Sequence, residues 1–272
     1  MTDSFATTAY VCATILGLVL GSFYNVCVHR ILTGESIVFP GSKCPKCGHQ
    51  LSWWENIPIV SFAILRAKCR KCKRPISWRY PIVEFVSGLW AFSLAVKCVR
   101  TIDVFWPDMF MVWVVYMVCG GILIIASFID FDSFILPDIL TFPGAALALA
   151  GSYFFVLPVY GTPTLLESLI GAVVGALIFL ILQQLYKKIK GTDGLGTGDI
   201  KLMLMLGAMV GWQGLPVAIT AAAVIALFAS LFYMVRPGAK GTQTMVPFGP
   251  FLSLGAMLYI LFGSYYWEWL GR

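Results

Sequence analysis

Apolar residues run along this chain in long blocks, and most of the polar residues collect between them. Eight blocks approach the roughly 20 residues that a helix needs to cross a bilayer core. They are 6–28, 81–97, 109–129, 139–158, 164–186, 200–213, 216–235 and 247–269. Lipid offers no partner to an open strand edge, so such blocks are expected to be helices. The block at 200–213 is short and closes on Gly211, Trp212 and Pro216. One long polar stretch, residues 29–80, interrupts the pattern after the first block. The chain therefore divides into a first helix (1–28), an insert (29–80) and a seven-helix region (81–272), and no internal repeat is expected.

Composition turns this pattern into a class. Hydrophobic residues make up 59% of the 272 positions and charged ones 12%, with a mean hydropathy of +0.86. Soluble domains carry about 25% charged residues. The expectation is an all-α polytopic membrane protein. Its charge distribution also orients it. The first inter-span loop holds ten lysines and arginines, and Lys187, Lys188, Lys190, Lys201, Arg236 and Lys240 fall on the same side. Lys97, Arg100 and Arg272 fall opposite, a split of 16 against three. Positive charge stays inside, which makes the insert cytoplasmic. The basic balance is read as topology and contact with anionic lipid, with the bilayer as partner and no nucleic acid. No basic residue precedes the first apolar block, so a cleavable signal peptide is not expected.

The insert carries Cys44-Pro-Lys-Cys47 and Cys69-Arg-Lys-Cys72. Two C-x-x-C turns supply four thiolates to one tetrahedral zinc, although the 21 residues between the pairs slightly exceed the usual window of about 15–20. A cytoplasmic loop is kept reduced, which argues against disulfides. A small insert with few large aliphatic residues also gains from a metal staple. This would be a closed structural site.

Only 13 residues are acidic. Asp130, Asp132 and Asp138 follow the third block, and Asp199 opens the sixth after Gly194, Gly196 and Gly198. The topology brings both groups to the cytoplasmic face at similar depth. Carboxylates near lipid are expensive and default to functional roles. Asp138, after Pro137, also suits a helix N-cap. The glycines permit close backbone approach and torsions barred to other residues. Two neighbouring carboxylates share a proton, so one activates water while the other donates to a scissile carbonyl. The competing expectation is an ion- or proton-coupled transporter that uses Asp130, Asp138 and Asp199.

Taken together, these motifs resemble the type IV prepilin peptidases, bifunctional leader peptidases and N-methyltransferases of pilus and type II secretion systems. The resemblance rests on GSFYNVCVHR, the two C-x-x-C pairs, LSWWENIPIVSF, ISWRYPIVEF, IDFDSFILPD and GTGDIK. It implies a bacterial inner-membrane enzyme with its active site toward the cytoplasm. Asp130 and Asp199 would be catalytic, with Lys201, Gly196 and Gly198 in support. The substrates would be type IV prepilins or pseudopilins, cut after a glycine behind a short basic leader. The new N-terminus would then be methylated with S-adenosylmethionine. No glycine-rich nucleotide fingerprint is present, so Asn25, Glu55, Arg79 and Glu84, near the membrane face of the insert, are the candidate residues for the methyl donor.

Overall fold

A computed structural model describes residues 2–99, 109–154, 162–191, 194–235 and 246–271. The described helices are α1 (Thr2–Thr33), α2 (Val60–Ile64), α3 (Arg79–Cys98), α4 (Phe110–Ser133), α5 (Asp138–Phe154), α6 (Leu165–Lys190), α7 (Thr197–Val235) and α8 (Gly249–Trp269). A single 3₁₀ turn (Trp53–Asn56) precedes α2. The described residues contain no strand, only isolated bridges at Lys43–Gln50 and Lys68–Pro75. Five of the described helices are long and apolar enough to cross a membrane: α1, α3, α4, α6 and α7. The protein is an all-helical, multi-pass membrane protein. The end of the expected fourth span, 155–158, lies outside the described residues, as do Arg100, Arg236, Lys240 and Arg272.

The expected spans at 200–213 and 216–235 run together as α7, which breaks its helical torsions at Gly211 (φ 68°, ψ 170°). Only glycine adopts that conformation readily. The short apolar block thus becomes the first limb of a kinked helix.

The chain forms two compact units, Met1–Ile125 and Ala126–Arg272. In the first, α1 and α3 pack so closely that a Cβ on Gly17 would lie 2.5 Å from the Ala91 Cβ. One on Gly21 would lie 2.6 Å from the Glu84 Cα. This spacing, Gly17 to Gly21, is the small-xxx-small pattern that lets helices touch in lipid, where no hydrophobic force drives them together. Trp90 of α3 then donates its indole N–H to the Tyr116 carbonyl at 3.1 Å.

In the second unit α7 is the hub, packed against α5, α6 and α8. Gly171 of α6 and Gly207 of α7 face one another. A Cβ on either would come within 2.3 Å of the other's carbonyl oxygen. The apolar run Leu202, Met203, Met205 and Leu206 is buried almost completely. A helix this deeply packed holds its first turn, and therefore Asp199, in a fixed place.

Candidate functional site

At the N-terminal end of α7, Asp199 sits in the first helical turn, its N–H bonded to the Gly196 carbonyl at 3.2 Å. Asp130 sits near the C-terminal end of α4 and is 5% exposed. Both line one cavity of about 460 Å³, together with residues 134–138, 196–198 and Lys201. Helices whose acidic residues stand 69 positions apart in sequence thus deliver them to one space.

Two backbone devices fix these carboxylates. Asp130 Oδ2 accepts the Gly249 N–H at 3.2 Å from the start of α8. A Cβ on Gly249 would lie 2.7 Å from that oxygen, so the contact requires glycine. Gly249 was not anticipated from the sequence; its signal is a Phe-Gly-Pro-Phe run, read there only as the start of a span. On the other side, Gln183 of α6 donates to the Leu195 carbonyl at 2.8 Å and steadies the chain entering α7.

Two of the three glycines before Asp199 work by proximity. A Cβ on Gly194 would strike the Tyr186 ring at 2.2 Å, and one on Gly198 would meet the Leu136 Cβ at 2.9 Å. None of Gly194, Gly196 and Gly198 has a positive φ, contrary to the expectation of unusual torsions. A positive φ occurs instead at Phe134 (56°), where the chain turns out of α4 with its N–H on the Asp130 carbonyl.

Asp132 is exposed and absent from the cavity lining, whereas Asp138 is on it. Asp138 is not the expected N-cap. It is the first residue of α5, and the Pro137 carbonyl accepts the Leu140 N–H. The Asp138 carboxylate instead takes both oxygens to Lys201 Nζ, at 2.6 and 2.8 Å.

In the first unit the four insert cysteines converge, their sulfur atoms all within 4.8 Å of one another. Cys44 and Cys72, and likewise Cys47 and Cys69, stand 4.0 Å apart. Metal–sulfur bonds of about 2.3 Å in a tetrahedron require edges of about 3.8 Å, so the cluster fits a tetrahedral metal ion. The Cys69 thiol falls to about 6, chiefly because the Cys72 backbone N–H bonds its sulfur. At Cys47 the His49 backbone N–H pulls the same way, but desolvation and the neighbouring sulfurs outweigh it, and the thiol rises to about 11. Crowded thiols lose one proton readily and retain another, a conflict that a cation resolves.

The insert also contradicts the absence of repeats. Lys-Cys-Pro-Lys-Cys-Gly-His-Gln-Leu-Ser-Trp (43–53) and Lys-Cys-Arg-Lys-Cys-Lys-Arg-Pro-Ile-Ser-Trp (68–78) align without a gap. Their hydrogen bonds match as well: Cys44 N–H to the His49 carbonyl at 2.8 Å, and Cys69 N–H to the Arg74 carbonyl at 2.9 Å. Gly48 and Lys73 occupy the same left-handed position. The two cysteine knuckles are copies of one hairpin. Arg30, counted by sequence as a surface charge, is buried and donates to the Ser36, Pro40 and Gly41 carbonyls ahead of the first copy.

The four residues expected near a methyl donor divide between two places. Asn25 and Glu84 both lie where α1 crosses α3. Asn25 Nδ2 donates to the Gly21 and Tyr80 carbonyls, leaving its buried Oδ1 unpaired. Glu84 accepts the Ile59 N–H at 2.8 Å. Glu55 lies behind the first knuckle, where its Oε2 accepts the Ser52 N–H at 2.8 Å and faces His49 at 3.3 Å, while its buried Oε1 has no partner. That Ser52 N–H is the main reason its carboxyl is held below the usual range. His49, partly exposed, therefore turns its ring toward Glu55. The Arg79 guanidinium lies 5.8 Å over the Tyr80 ring.

Comparison with known proteins places this architecture. Residues 15–98 match the bacterial peptidase A24 N-terminal domain, and residues 117–231 match the type IV leader peptidase family. A prepilin leader peptidase/N-methyltransferase of Pseudomonas aeruginosa is 33% identical over 283 residues, covering 93% of this chain and 90% of the relative. One from Pseudomonas putida is 32% identical with the same coverage, and one from Myxococcus xanthus is 37% identical over 85% of this chain and 64% of its own length. The chain belongs to the prepilin leader peptidase/N-methyltransferase family. No solved structure matches it. The N-terminal match contains the cysteine cluster and all four residues expected near a methyl donor. The leader-peptidase match contains both cavity aspartates, and Gly249 lies beyond its end.

Proposed function

We propose that this chain is a membrane-embedded aspartic endopeptidase that removes the basic leader of type IV prepilins or pseudopilins after a glycine, and then N-methylates the exposed residue. The observation that carries the reading is the single cavity shared by Asp130 and Asp199. A water between two such carboxylates gives its proton to one and attacks the scissile carbonyl, while the other protonates the carbonyl oxygen. Collapse of the tetrahedral adduct, with proton return to the leaving nitrogen, frees a leader ending in a carboxylate and a mature chain beginning with an amine. No histidine is among the described residues that line the cavity, so a Ser-His arrangement has no base there. An ion path through Asp130, Asp138 and Asp199 is disfavoured by the Asp138–Lys201 pair, which neutralises one of its three charges.

The substrate is a single apolar helix with a basic leader, so its cleavage point belongs at the cytoplasmic edge of the inner membrane. Residues 81–272 would carry cleavage, and residues 29–80 together with the helix ends beside them would carry methylation. Zinc is the metal that four thiolates and no open position suit best, and it would hold the two knuckles together without entering the chemistry. S-adenosylmethionine supplies a methyl group on a sulfonium. At the α1–α3 crossing the unpaired Asn25 oxygen could accept a hydrogen bond from the donor's ammonium or hydroxyl groups, Glu84 could balance its positive charge and Arg79 could meet its carboxylate, whereas Glu55, with its own unpaired oxygen, stands apart at the first knuckle.

The test uses the purified full chain in detergent with a prepilin substrate, and reads the product N-terminus by mass spectrometry. Loss of the leader alone, and one added methyl group when the donor is supplied, is the expected result. An intact substrate beside a folded enzyme would refute the peptidase reading.

A further inference from the structure

The Asp138–Lys201 pair is a bidentate contact on the wall of the cavity, between residues 63 positions apart, with side chains 56% and 35% exposed. Exposed ion pairs contribute little to global stability. Stability is therefore a poor reason for such close geometry at this place, and its location is the better clue.

The wall that carries Asp130 reaches α7 through one short segment. Phe134 turns sharply out of α4, and the chain passes Leu136 and Pro137 into α5. Leu136 rests against Gly198, one residue before Asp199. Asp138 then grips Lys201, two residues after Asp199. The segment is thus fastened to the first turn of α7 on both sides of the second carboxylate. Lys201 itself stands about 200° round the helix from Asp199, and its ammonium is engaged by Asp138.

We propose that Asp138 and Lys201 form a latch that sets the spacing of Asp130 and Asp199, with Asp138 as a positioning residue and Lys201 acting through it. Misplacing a reacting group by about 1 Å costs on the order of 10²-fold in rate. A latch therefore governs turnover while leaving substrate affinity and fold intact. This inference rests on the peptidase reading, but its physical half can be tested without cleavage.

The experiment compares wild type with Asp138→Asn, Lys201→Met, Lys201→Arg and the exchanged pair Asp138→Lys/Lys201→Asp in the full chain. It measures kcat and KM on a prepilin, and amide hydrogen exchange across 133–138 and 196–202. Asp138→Asn and Lys201→Met should each lower kcat by roughly 10- to 100-fold with little change in KM or Tm, and should speed exchange in both segments. Lys201→Arg and the exchanged pair should recover at least tenfold of that loss. Full activity of Asp138→Asn beside an inactive Lys201→Met would overturn the latch, because Lys201 would then act on substrate directly. An exchanged pair no better than either single variant would overturn it too. If wild type cleaves nothing while exchange responds as expected, the peptidase reading fails and the latch itself stands. Unchanged exchange with normal wild-type cleavage refutes the latch alone.

Discussion

The cysteine cluster and the carboxylate cavity are assembled by opposite means. All four cysteines lie between positions 44 and 72, and each pair is shaped by its own hairpin, whose backbone N–H groups point at sulfur. Asp130 and Asp199 come from separate helices and meet only because α5, α6 and α8 pack around α7. A local site survives small shifts of the helices that flank it. A site built across helices does not, and its surroundings are accordingly crowded with glycines that admit no Cβ. The cluster gathers four sulfur atoms within 4.8 Å of one another, whereas the cavity is a space of about 460 Å³ lined by both carboxylates.

The largest expected effect follows from that difference. Asp130→Asn and Asp199→Asn should each lower leader cleavage by about 10³-fold or more, since each removes a proton-transfer group. Methylation of a pilin already cut should continue in both. The measurement is product mass with a full-length and a pre-cut substrate side by side. Joint loss of both activities in either variant would show that the two units do not work separately.

Metal removal should do the reverse. The insert has no strand and little core of its own, and structural zinc sites contribute on the order of 10 kcal/mol to folding. Stripping the metal with a chelator should release fast amide exchange across 43–78 and abolish methylation, while cleavage falls far less. Equal loss of both activities would tie the cavity to the insert.

The contrast between the sites also explains what could be read in advance. The apolar runs of α1, α3, α4, α6 and α7 were legible because lipid demands an unbroken run, and the C-x-x-C spacing was legible because one hairpin contains it. Asp130 and Asp199 were reachable by topology, which places their helix ends on one face. The Asp138–Lys201 pair and the Gly249 contact span 63 and 119 positions, and no local pattern reports such distances. Asp138 looked like a cap because local rules see only its neighbours, Pro137 included. The repeated knuckle, against the expectation of no internal repeat, stands in the sequence itself, in the Lys-Cys-x-Lys-Cys and Ser-Trp that both copies share. Arg30 looked like a topological charge because only the fold reveals the three carbonyls it meets.

Gly249→Ala tests the cavity at an intermediate scale. Its new methyl group would sit 2.7 Å from Asp130 Oδ2, so the carboxylate must move or lose the N–H that it accepts. Cleavage should fall about 10²-fold with KM nearly constant, and methylation should not change. Wild-type turnover in this variant would mean that Asp130 works equally well from another position.

The smallest effect is expected at Asp132. It follows Asp130 by two positions, about 200° round the helix, which turns it from the cavity toward an exposed face. A carboxylate there can neither share a proton with Asp199 nor reach a water between the two cavity residues. Asp132→Asn should therefore cleave within about twofold of wild type, as exposed substitutions away from a site generally do. Kinetics of Asp130→Asn and Asp132→Asn on the same prepilin settle the register of the dyad. An inactive Asp132→Asn beside an active Asp130→Asn would move the catalytic carboxylate by two residues, and would require the end of α4 to rotate when substrate binds.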